Sequence, residues 1–174
     1  MSIIITGDST IDLSPELKQQ YGVQTVPLYV NMGDQSYRDG VDMQPDDIYA
    51  YVAKTGQLPK TSAPSIQDYI DFFGAMRQKY DEVVHFNLSN ELSVSHQNAR
   101  LAAEEYDGVH VIDSRNLSTG TGLLVLEACD RAMAGMDAEG ICREIEELIP
   151  KVEASFILNR LDFLAKGGRC SSLV

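Results

Sequence analysis

Cysteine is scarce in this chain. Cys129, Cys142 and Cys170 are the only three among 174 residues. Their number is odd, none has Cys-x-x-Cys spacing, and no histidine stands in metal-ligand register with them, so neither a disulfide framework nor a metal site is indicated. Reduced thiols, and with them a cytoplasmic protein, are the expectation. Basic residues are also few: 14 Lys and Arg against 26 Asp and Glu leave a net charge of −12. Nucleic acid and anionic membrane surfaces are thereby excluded as partners, because both are held by lysines and arginines that neutralise phosphate. No apolar stretch is long enough to span a bilayer, and Ile3-Ile4-Ile5 is too short for a signal peptide, so no integral membrane association is expected. Gly-x-Ser-x-Gly is missing, and His85, His96 and His110 have no evident serine partner, which argues against an enzyme. Glycine-rich phosphate loops are missing too, and nothing calls for a cofactor.

What is present is a strand and helix alternation of ordinary globular composition, 44% hydrophobic and 23% charged. Ile3-Ile4-Ile5 reads as a buried parallel strand that delivers Asp8-Ser9-Thr10 to its carboxyl end. Ser14-Pro15 opens a helix that closes at Tyr21-Gly22, and Val23 to Val30 returns as a second strand. Ser36 to Asp39 is expected to pair back as a hairpin arm, and Pro45 to Thr55 to form a short helix. Further strands are expected at 82–88 and 109–112, with helices at about 94–105, 119–134 and from Asp137 to Pro150. The fold class this predicts is α/β, a mostly parallel sheet with helices on both faces. Phe156 to Leu158 reads as one more strand and Leu161 to Ala165 as a short helix. We therefore expect an α/β domain over 1–150 and, over 151–174, the start of a second domain whose apolar side chains lack cover.

Two stretches bring hydroxyls to helix starts. Leu58 to Ser65 reads as a polar loop, with Thr61 and Ser62 free and Ser65 as the N-cap of a helix marked by Ile66, Tyr69, Ile70, Phe73 and Met76. Phe86 to His96 runs from a strand through Ser89 and Ser93 into a helix that begins near Val94-Ser95. Hydroxyls and unpaired backbone N–H groups at such ends suit a carboxylate or phosphate. Ser93 and the Thr61 stretch are equally read as plain caps and turns. Asp113 is expected to brace loops, His85 to be a core or face residue, and His96 to be solvated.

Asp8-Ser9-Thr10, Val26-Pro27-Leu28, Tyr37-Arg38-Asp39-Gly40, Thr61-Ser62-Ala63-Pro64-Ser65, Leu92-Ser93-Val94-Ser95, Val111-Ile112-Asp113-Ser114 and the run from Leu161 to Arg169 resemble, in order and spacing, the DegV family. The family departs from this chain in usually having Gln at Ala63 and Gly-Thr at Val94-Ser95. The resemblance implies a long-chain fatty-acid-binding protein that presents the acyl carboxylate to the catalytic subunit of fatty acid kinase. It implies ligand contacts from Thr61, Ser62, Ser93, Val94, Ser95 and Arg169, with the Thr61 and Ser93 hydroxyls not consumed by local caps. The alternatives left open are a phosphate- or nucleotide-binding module and a fragment without ligand.

Overall fold

The structure, a computed structural model, describes residues 2–167. In chain order its elements are β1 (Ile3–Asp8), α1 (Pro15–Tyr21), β2 (Gln24–Val26), β3 (Tyr29–Met32), β4 (Gln35–Arg38), α2 (Pro45–Thr55), β5 (Lys60–Ser62), α3 (Ile66–Arg77), β6 (Glu82–Asn87), α4 (Ser95–Ala103), β7 (Val109–Asp113), α5 (Thr119–Met133), α6 (Ala138–Leu148) and α7 (Asp162–Lys166). They form two compact units, one of residues 2–28 and 63–154, the other of residues 29–62 and 155–167.

The first unit is the expected α/β layer structure. Its sheet is parallel throughout, in the order β2-β1-β6-β7. Period-two alternation sends Ile3, Ile5, Val84 and Phe86 to one face, where Leu124, Val125, Ile141 and Ile145 of α5 and α6 cover them. Ile4 and Val83 go to the other face, under Tyr69, Phe73 and Met76 of α3 and Ala99 and Ala102 of α4. Parallel pairing brings Asp8, Ser89 and Asp113 to the same edge, as the alternation predicts. Near that edge a single 3-10 turn, Ser9–Ile11, follows β1. Gly122 of α5 packs against this turn so closely that a Cβ there would lie 2.6 Å from the Ile11 carbonyl oxygen.

The helix starts follow local chemistry. Ser14 Oγ accepts from Leu17 N–H, Asp137 from Gly140 N–H, and Ser65 and Asp68 form a reciprocal capping box.

The second unit holds an antiparallel sheet, β4-β3-β5, with α2 and α7. Three expectations are corrected here. Residues 23–30 do not form one strand: the chain leaves the parallel sheet after Val26, at Pro27, and re-enters a different sheet at Tyr29. Lys60-Thr61-Ser62 is an edge strand rather than a loop, its Thr61 opposite Val30. Phe156 to Leu158 is not a strand; these residues are 78%, 100% and 42% exposed.

Candidate functional site

Ser89, at the carboxyl end of β6, is buried, and its carbonyl accepts from both Leu92 and Ser93 N–H, which closes the turn into α4. Asp113 Oδ1 takes the N–H groups of Asn90 and Arg115, so it braces the two neighbouring loops as expected. Ser93 emerges from this turn half-buried, beside an exposed Val94. Its Oγ accepts from Ser95 N–H at 3.2 Å and lies 2.8 Å from Ser95 Oγ. The expectation that Ser93 is free of local bonds is therefore corrected: its hydroxyl turns back over the first helical residue, which has no side-chain cap of its own from Val94. Ser95 is fully buried.

Ser93 and Val94 line an open groove of about 590 Å³ together with Glu91, His96, Arg100 and Leu101. His96 is half-buried rather than solvated, and burial holds its pKa below the ordinary value; its Nδ1 is enclosed without a partner. In the second unit, Thr61 and Ser62 are exposed, and Ser62 Oγ accepts from Asn31 Nδ2 at 3.2 Å. Arg169 lies outside the described residues.

Beneath Ser95 is a polar array that the sequence reading did not find. The positions of β1 and β6 that face α3 and α4 begin apolar, at Ile4 and Val83, and become polar toward the carboxyl edge, at Thr6, Asp8, His85 and Asn87, all fully buried. Asp8 accepts from Tyr69 Oη at 2.7 Å, from Asn87 Nδ2 at 3.0 and 3.1 Å and from Leu88 N–H at 3.2 Å. His85 Nε2 is 3.4 Å from Asp8, its Nδ1 meets Thr6 Oγ1 at 2.9 Å, and its ring is packed edge-on against Tyr69, Phe72 and Phe73. Tyr69 Oη also accepts from Asn87 Nδ2 at 3.1 Å, and burial followed by the neighbouring Asp8 charge holds its phenol pKa well above the usual range. The signal in the sequence was alternation: two inward rows, 4-6-8 and 83-85-87, turn polar at the same end of their strands.

Fold and site together define an α/β protein whose parallel strands carry a hydroxyl-lined helix start at their carboxyl edge. A family profile described as "Uncharacterised protein, DegV family" matches residues 2–174, and the chain belongs to that family. A DegV domain-containing protein of Deinococcus radiodurans is 37% identical over 170 residues, covering 97% of this chain and 60% of the relative. Among solved structures, the fatty-acid-binding DegV family protein of Thermus thermophilus is similar with a TM-score of 0.85 and 35% identity, over 97% of this chain and 61% of that one. DegV of Bacillus subtilis, a fatty acid binding protein, has a TM-score of 0.89 and 29% identity, again over 97% and 61%. The Fatty Acid Kinase B3 protein of Streptococcus pneumoniae, loaded with linoleic acid, has a TM-score of 0.73 and 25% identity, over 86% and 55%. The chain thus spans about 60% of the length of the relatives it matches. Among the described residues no helix is long and apolar enough to cross a membrane.

Proposed function

We propose that this protein binds a long-chain fatty acid by its carboxyl head group and presents that group to the catalytic subunit of a fatty acid kinase in the cytoplasm, carrying out no reaction itself. The head group is taken by the hydroxyls of Ser93 and Thr61, with Ser62, the main chain at Val94 and Ser95, and Arg169 in support. What carries this reading is the hydroxyl-bearing start of α4 at the carboxyl edge of the sheet, in a chain similar over 97% of its length to fatty-acid-binding DegV proteins. The positive helix end favours an anion there, against an unfavourable net charge of −12. Native mass spectrometry of the purified chain is the test. A co-purified fatty acid supports the proposal. A phosphorylated ligand identifies instead a phosphate-binding module, and an empty chain that takes up no added fatty acid overturns the proposal.

A further inference from the structure

The groove that Ser93 opens on carries two donors that the fold does not use. His96 and Arg100 are four residues apart on α4, so they stand one above the other on one face of the helix, and both line that groove. Side chains of an α-helix lean toward its amino end, where Ser93 stands. Among the described residues Arg100 forms no ion pair and His96 no side-chain hydrogen bond. The imidazole is half-buried with Nδ1 shut in, so a molecule in the groove reaches its ring nitrogens only at Nε2. Burial keeps the ring toward its neutral form, against the Asp113 charge and with the help of Arg100. A neutral ring has one N–H, and a buried N–H without an acceptor is a rarer orphan than a buried acceptor, which puts the proton on Nε2, facing the groove. Glu91 and Glu104 line the groove as well, two carboxylates against the one Arg100. Charge alone therefore does not draw an anion there, and an anion has to be held by directed donors, as an imidazole N–H and the planar guanidinium fork are.

We propose that His96 and Arg100 are further head-group contacts, forming with the Ser93 hydroxyl a wall of donors along α4 that takes a carboxylate. This rests on the fatty-acid reading above and deepens it, because it names the side chains that tell an ionised head group from a neutral one. Ser93 alone offers a hydroxyl, which serves a carboxylate and an alcohol alike. The guanidinium gains most from the charged head group, since a hydrogen bond between ionised partners is about twice as strong as a neutral one.

The probes are oleate and oleyl alcohol, which share a tail and differ in the charge of the head group. Calorimetric titration should show the preference for oleate over oleyl alcohol falling about tenfold in His96→Leu and in Arg100→Met, the worth of one hydrogen bond to a charged group. His96→Gln, which keeps an N–H donor, should restore most of that preference. A merely structural role weakens both probes in parallel, and that result, or an unchanged preference in either variant, overturns the proposal. Should His96→Leu fail to fold, Arg100→Met, at an exposed position, decides by the same comparison. If the unaltered chain binds neither probe, the fatty-acid reading fails, and the wall is judged with acetate, a carboxylate without a tail, by nitrogen-15 NMR. A saturable shift of His96 Nε2 that is lost in Arg100→Met supports the wall. No saturable shift, a shift indifferent to Arg100, or a ring proton found on Nδ1 overturns it.

Discussion

Ser65 and Ser93 look alike in the sequence, each a serine at the mouth of a helix, yet they do different work. Ser65 accepts from Asp68 N–H at 3.1 Å while its own N–H goes to the Asp68 carboxylate at 2.7 Å, so it is spent on the helix. Ser65→Ala should lower stability by about 1 kcal/mol in thermal unfolding and leave ligand affinity unaltered. Such caps are visible in a sequence because cap and partner lie three residues apart. The partners of Asp8 at Tyr69 and Asn87 are 61 and 79 residues away, and no local pattern joins them. Asp42 gives a second residue-level test. Its bonds to the Arg38 side chain and N–H lower its pKa to about 2, below the unfolded value. The pair therefore adds stability above the ordinary carboxylate range and loses it as pH falls through about 2. Carboxyl NMR should find the Asp42 midpoint near 2 in the native chain, and near the ordinary Asp value in Arg38→Ala.

Elements with a buried face were legible, and those without one were not. α3 and α5 declare themselves by apolar spacing, and β1 and β6 by short runs that end in turn residues. β5 has no such mark: Lys60, Thr61 and Ser62 are all exposed, and they form a strand because the backbone of β3 is there to pair with. Phe156 to Leu158 misleads in the opposite direction, since an apolar run carries strand propensity whether or not an edge is available to receive it. Gly122 tests the packing of an element. Alanine is the better helix former by about 1 kcal/mol, but its Cβ would lie 2.6 Å from the Ile11 carbonyl oxygen, a backbone atom that cannot swing aside. Gly122→Ala should therefore destabilise by about 1–3 kcal/mol in urea unfolding. A gain in stability would show that α5 and the turn after β1 are not packed this tightly.

Across the whole molecule, the alternation of strands and helices was enough to place Asp8, Ser89 and Asp113 at one edge, because a parallel sheet puts every carboxyl end on the same side. The candidate ligand hydroxyls were legible at that level too. Their hydrogen-bond partners were not, which is why the local bond of Ser93 to Ser95 and the array running down to Asp8 emerge only in three dimensions. The account holds that Ser93 and Thr61 contact a fatty-acid head group while Ser65 serves the fold alone. Titrating a fluorescent fatty acid into the unaltered chain and into Ser93→Ala, Thr61→Ala and Ser65→Ala tests this most directly. The account predicts affinity about tenfold weaker in each of the first two, the loss of one hydrogen bond to the head group, and unchanged affinity in the third. Unchanged affinity in both Ser93→Ala and Thr61→Ala would contradict it, and would reduce the two hydroxyls to a cap and a strand residue.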